Sequence, residues 1–159
     1  MTANRRRRRA VAQILRDRSI HPVLFDVGAS GSPPPMWLPL ADQAVYVGFD
    51  PDLRETAVDI EGPFFRAFVV NEAVTHDPSC AAVEFHLTRS PYCSSTLRPK
   101  ADALSHYAFS GLFVVERSTM VPAATVGVVL ARLGLAGIDW FKADSQGTDL
   151  RLFMSVSDD

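Results

Sequence analysis

Val23-Leu24-Phe25-Asp26-Val27-Gly28-Ala29-Ser30-Gly31 is the stretch on which the fold turns. Val23 to Val27 is a nearly continuous apolar run, the pattern of a strand buried on both faces of a parallel sheet. Gly28 and Gly31 then break the run with residues that permit unusual dihedrals and close approach of backbone to a ligand. Pro33-Pro34-Pro35 rules out a helix interior directly after the turn, although the last proline is allowed to start one. Met36 to Ala41 is therefore expected to be at most a short helix, interrupted by Pro39.

Outward from this turn the pattern repeats. Val45 to Phe49 is a second apolar run, closed by Asp50-Pro51-Asp52, and Leu53 to Asp59 reads as a brief helix. Phe65 to Val70 is a third strand, and Ala82 to Thr88 alternates like a fourth, half-exposed one. Residues 89–111 are rich in turn formers, with a short helix expected over Lys100 to Tyr107 and an extended piece over Leu112 to Glu116. Thr125 to Leu133 is an amphipathic helix, with Gly134 placed to end it. Ile138 to Asp144 is a further buried strand, and Thr148 to Val156 begins another helix. Trp37, Trp140 and the phenylalanines fall in apolar runs and are expected in the core. Strands alternating with helices predict an α/β fold, a mostly parallel sheet with helices on both faces.

The chain has 159 residues, 47% hydrophobic and 21% charged, which suits one globular domain. Residues 1–20 form a basic helix or tail, helical over 4–17, and residues 21–159 form the α/β domain. The overall net charge of −2 gives no reason to expect a polyanionic partner. It divides unevenly: residues 1–20 hold seven Arg and one Asp, and the rest holds nine basic and seventeen acidic residues. The run Arg5–Arg9 lacks interleaved aromatics, the stacking element of a single-strand reader, so nucleic acid is not the expected partner. There is no apolar run long enough for a membrane span and no secretory apolar region, so a cytoplasmic protein with two reduced thiols, Cys80 and Cys93, is expected. No metal site is indicated.

In a parallel α/β sheet, ligands bind beyond the carboxyl ends of the strands. Asp26-Val-Gly-Ala-Ser-Gly31, Asp50-Pro-Asp52, Asn71-Glu72 and Lys142-Ala-Asp144-Ser-Gln-Gly147 are what follow four of the expected strands. All four carry acidic or amide groups, which is the main signal for a pocket. A carboxylate at Asp26, just before the first glycine, would repel a phosphate but tolerate a cationic ligand. Asp50 lies 22 residues after Gly28, where an acidic residue at the end of a second strand accepts the hydroxyls of a ribose. His76 lies near the same edge and is a reserve base. His21 belongs to the opposite edge, and His86 and His106 read as structural or exposed.

Three of these segments resemble the motifs of FkbM-type methyltransferases: Val23 to Gly31, Val47-Gly-Phe-Asp-Pro-Asp52 and, most specifically, Ile138-Asp-Trp-Phe-Lys-Ala-Asp-Ser-Gln-Gly-Thr-Asp-Leu150. Tyr92-Cys-Ser-Ser-Thr-Leu-Arg-Pro99 is similar to a serine-rich segment of some members. The resemblance spans residues 23–150. It implies a Rossmann-like methyltransferase sheet, S-adenosylmethionine as cofactor, and methyl transfer to a hydroxyl oxygen of a small molecule or glycan. Asp26, Gly28, Ala29 and Gly31 would line the methionine part of the cofactor, Asp50 would hold the ribose, and Asn71 and Glu72 would face the adenine side. Asp144 would be the general base and Lys142 would orient or polarise the acceptor oxygen. The family's sheet carries further strands after the hallmark segment. The chain is therefore expected to lack the last strands, to leave that strand as a sheet edge, and to be completed, if at all, by a second chain. A non-catalytic remnant or cofactor-binding module of the same fold is the alternative. A nicotinamide-dependent oxidoreductase is disfavoured because the turn offers only G-x-x-G.

Overall fold

The computed structural model describes residues 3–54 and 63–156. Most of the helix expected over Leu53 to Asp59 lies outside them. The strands are β1 (Val23–Val27), β2 (Val45–Phe49), β3 (Arg66–Val70), β4 (Ala73–Val74), β5 (Ala82–Thr88), β6 (Val115–Ala124) and β7 (Trp140–Ala143). The α-helices are α1 (Ala3–Asp17), α2 (Ala101–Leu104), α3 (Val126–Leu133) and α4 (Asp149–Phe153).

The principal sheet has the order β3-β2-β1-β7, with every pair parallel. All residues of β1 and β2 are buried, as their unbroken apolar sequence requires of central strands covered on both sides. Alternation along each strand then sorts the core into two layers. Val23, Phe25, Val27, Val45, Val47 and Phe49 point to one face, where Val126 and Val129 of α3 and Leu152 of α4 cover them. Leu24 and Tyr46 point to the other, against Trp37, Ala44, Phe64 and Ala67. That second face is covered by a 3-10 turn, Leu38–Gln43, on which α1 leans. Arg16 joins Asp42 across this contact at 2.9 Å. The proline run is the reason no α-helix forms between β1 and β2: prolines at 33–35 and 39 remove the donors that an α-helical ladder needs.

Helix α3 matches its sequence signals at both ends. The Thr125 hydroxyl accepts from the Val128 N–H at 3.4 Å, and Gly134 closes the helix in the left-handed region at φ +67°.

Between β3 and α3 the strictly alternating scheme fails. Residues 73–124 build a second, three-stranded sheet, β4-β6-β5, in which β5 and β6 run antiparallel. Of the extended piece expected over Leu112 to Glu116 and its neighbours, the start belongs to a 3-10 turn, Ser110–Phe113, while Val115 and Glu116 open a ten-residue strand. Its sequence, Val-Glu-Arg-Ser-Thr-Met-Val-Pro-Ala-Ala, is too polar to announce a strand, and β5 supplies the pairing that makes it one.

β7 has β1 on one side and no strand on the other among the described residues. Trp140, expected in the core, is accordingly 43% exposed at this edge, and Phe65, Phe109 and Phe153 are about half exposed. Among the described residues no helix is long and apolar enough to cross a membrane.

Candidate functional site

The carboxyl ends of β1, β2, β3 and β7 meet at one rim, as parallel pairing in register demands. Backbone bonds stitch the ends together just past the strands. Asp144 N–H donates to the Val27 carbonyl at 2.9 Å, and Asp50 N–H to the Val70 carbonyl at 3.2 Å. The N–H groups of Gly28 and Ala29 both donate to the Phe49 carbonyl at 3.0 Å. Gly28 and Gly31 hold φ of +77° and +80°, which only glycine adopts readily. A Cβ at Gly28 would overlap the Asp144 carbonyl oxygen, so β1 turns away where the chain after β7 crosses it.

Asp26 lies directly opposite Lys142 in the β1–β7 register. Its carboxylate is 1% exposed and faces the Tyr46 side of the sheet. Oδ1 is 2.7 Å from Lys142 Nζ, and Oδ2 accepts the Tyr46 hydroxyl at 3.0 Å. Burial pushes the Asp26 carboxyl above the usual carboxylate range, against the lowering effect of Lys142 and of the Tyr46 hydroxyl. The Tyr46 phenol is pushed up in turn, by burial and by the Asp26 charge. Lys142 Nζ also donates to the Gly28 carbonyl at 2.8 Å.

Asp50 is buried at the end of β2, yet it lines the open space of the cleft. Its Oδ1 accepts the Asp52 N–H at 2.8 Å and its Oδ2 accepts the Ser30 hydroxyl at 2.8 Å. Burial raises its carboxyl, and those two donors work against the rise. Two residues on, burial would raise the Asp52 carboxyl, but Arg54 and the Ser94 hydroxyl outweigh it and hold it below the usual range. Arg54 NH2 lies 2.6 Å from Asp52 Oδ2 and donates to the Thr88 carbonyl at 2.9 Å. Ser94 Oγ donates to Asp52 Oδ2 at 3.0 Å. This network pins the 3-10 turn Pro91–Cys93 over the rim and stands Tyr92, 57% exposed, beside Gly31.

The segment that follows β7 organises itself around Asp149. Asp149 accepts the Ser145 N–H at 2.7 Å, the Ser145 hydroxyl at 3.0 Å and the Gly147 N–H at 3.1 Å. Burial would raise the Asp149 carboxyl, and these donors lower it below the usual range instead. The turn so formed leaves Asp144 exposed at the cleft mouth, with Gln146 Nε2 2.9 Å from its Oδ1.

A cleft opens among these ends. Of the residues named from sequence, Gly28, Asp50, Glu72, Lys142 and Asp144 line it. Asp26 sits behind its wall, committed to Lys142 and Tyr46, and Ala29 and Gly31 lie on the flank of the turn. Asn71 is turned outward and braces the Asp50 carbonyl through Nδ2 at 3.2 Å. Glu72 is held by Arg132, at 2.8 and 3.1 Å. Lys142 pairs with Asp26 rather than with its sequence neighbour Asp144. His76 lies in a separate hollow with Thr125 and Val156, and His21 stacks on Phe65 at the opposite edge of the sheet. His86 is buried in β5, its Nδ1 2.8 Å from Ser118 Oγ.

Sequence reasoning did not single out Ser30, Pro51, Phe85, Thr96 or Thr148, which also line the cleft. Ser30 lies inside the quoted turn and Pro51 beside Asp50, so their positions were legible and their roles were not. Phe85 reaches the cleft only through the second sheet, which no local pattern announced. Comparison with protein-family models, with curated proteins and with solved structures finds no match to the chain.

Proposed function

We propose that this cleft binds S-adenosylmethionine and serves methyl transfer to a hydroxyl oxygen of a small molecule or glycan, on a Rossmann-like sheet of the FkbM methyltransferase type. The observation that carries the reading is the buried Asp50 carboxylate, opening into the cleft across from a glycine turn with two positive φ angles. The strand order supports it, since β3-β2-β1-β7 repeats the 3-2-1-4 half of a dinucleotide-type sheet.

The donor set fits the cofactor. Both Asp50 oxygens keep acceptor capacity beyond the Ser30 and Asp52 donors, enough for the two hydroxyls of a ribose. Asp50 and Asp144 put negative charge on the cleft, while the Lys142 charge is answered by Asp26, so a cationic ligand is favoured. A pyrophosphate is not. The first helical turn after Gly31 starts only at Leu38, so the segment that follows the turn does not offer it the helix N-terminus of a dinucleotide phosphate site.

When bound, S-adenosylmethionine supplies a methyl group already activated by its sulfonium. What the chain must do is align an acceptor and remove its proton. Asp144 is the base of this reading. It is exposed at the mouth, it lines the cleft, and its carboxylate is held by Gln146, with no cation in direct contact among the described residues. Tyr92 and Thr96 form the wall on which an acceptor would rest.

Calorimetric titration of the whole chain with S-adenosylmethionine, and in parallel with NADH, tests the reading. Heat of binding is expected for the first and none for the second. Asp50→Ala should weaken binding about 10- to 100-fold, the worth of roughly 1.5–3 kcal/mol for hydrogen bonds to a charged acceptor. A folded wild-type chain that gives no signal with millimolar S-adenosylmethionine refutes it.

A further inference from the structure

We propose that Lys142 is a positioning residue whose ammonium, clamped between the Asp26 carboxylate and the Gly28 carbonyl, sets the conformation of the Gly28–Gly31 turn. Its place on β7 puts it opposite Asp26 by register alone. Its Nζ lies 2.7 Å from Asp26 Oδ1 as an ion pair and donates a hydrogen bond to the Gly28 carbonyl at 2.8 Å. The turn is thus held from two sides. β2 takes its N–H groups, because Gly28 and Ala29 both donate to the Phe49 carbonyl, and β7 takes its carbonyl through Lys142.

Asp26 is what keeps the ammonium there. Buried at 1% exposure, the carboxylate would be left without a compensating charge if Lys142 swung into the cleft, and an uncompensated buried charge is strongly unfavourable. Tyr46 supplies the other oxygen with a hydrogen bond at 3.0 Å and fixes the carboxylate plane. Lys142 therefore has its charge answered by Asp26 and a hydrogen bond spent on the Gly28 carbonyl. Its effect on a bound ligand runs through the shape of the turn beneath that ligand.

Three variants separate this role from that of a simple ion pair: Lys142→Met, Asp26→Asn and the double variant. The readouts are the urea midpoint and amide hydrogen exchange at Gly28 to Gly31, with Phe25 and Val47 as internal references. Lys142→Met lowers the midpoint and speeds exchange in the turn at least tenfold. The double variant removes both charges, so its midpoint returns toward wild type, but it has no ammonium for the Gly28 carbonyl, so exchange in the turn stays fast. Should Lys142→Met be too unstable to measure, the double variant alone decides. Slow exchange in the turn of the double variant overturns the proposal, as does wild-type exchange in Lys142→Met. Affinity for S-adenosylmethionine forms a further arm, which rests on the methyl-transfer reading. It is expected to stay at least tenfold weak in the stable double variant, and wild-type affinity there would also overturn the proposal. The exchange arms hold whether or not the cofactor binds, so failure of the functional reading is distinguishable from failure of this one.

Discussion

Replacing Gly28 by alanine is expected to cost about 2–3 kcal/mol of folding stability, and the structure shows where that cost arises. Holding a residue with a Cβ at φ +77° costs about 1–2 kcal/mol. The new Cβ also overlaps the Asp144 carbonyl oxygen, which is backbone and cannot rotate away. Relief requires the chain after β7 to retreat from β1, which breaks the bond from Asp144 N–H to the Val27 carbonyl at a further cost of about 1 kcal/mol. The sum is roughly a hundredfold in the folding equilibrium, set against a total of about 5–15 kcal/mol for an ordinary domain. Gly134→Ala is the matched control. It has a similar φ of +67° but nothing within 4 Å of its Cβ, so only the strain of about 1–2 kcal/mol applies. With a urea slope of about 2 kcal/mol/M, the midpoints should fall by about 1.2 M and about 0.7 M respectively. Equilibrium urea unfolding followed by circular dichroism reads both. If Gly28→Ala falls no further than Gly134→Ala, the close crossing of β1 by the chain after β7 is wrong, and the cleft built on it with it.

Asp50→Asn should leave the chain as stable as wild type at pH 7, or more so, and on the proposed methyl-transfer reading should weaken S-adenosylmethionine binding. The amide oxygen can still accept the Asp52 N–H, and the Ser30 hydroxyl can reverse to accept from the new NH2. Burial raises the Asp50 carboxyl, so between its ordinary value of 3.8 and its raised one the folded chain binds more protons than the unfolded, and wild-type stability falls as pH rises. The advantage of the asparagine should therefore grow through that window, as urea midpoints at several pH values will show. Asp52 has the opposite sign. Its lowered carboxyl contributes stability that is present above 3.8 and lost as pH falls toward the folded value, so Asp52→Asn should make the acid limb of the stability curve shallower. Thr125→Ala should cost about 1 kcal/mol by removing the cap of α3, measured by thermal or urea unfolding. Gly127→Ala, in the same helix with open space at its Cβ, should stabilise by about 0.5 kcal/mol. If the proposed methyl transfer is right, turnover with an acceptor should fall about 10²-fold or more in Asp144→Asn with S-adenosylmethionine binding intact.

Much of this protein was legible in its residues because short-range rules govern it. The unbroken apolar runs at 23–27 and 45–49 announce central parallel strands, Gly134 announces the end of α3, and the acids after each run announce the rim of a pocket. Those signals depend only on backbone periodicity and on which residue types tolerate burial or positive φ. Partnership across the chain was decided elsewhere. Nothing in Lys142-Ala-Asp144 says that the lysine turns to Asp26 while the aspartate faces solvent. Strand register says it, by setting residue 142 beside residue 26 across more than a hundred positions of chain. Nor does the polar sequence of β6 declare a strand until β5 pairs with it, or Arg54 declare itself the brace of Tyr92 until Asp52 and Ser94 converge on it. Local sequence determined which segments are strands, turns and helices. Tertiary packing alone decided which charges meet, because a buried charge takes its partner from whichever strand lies beside it.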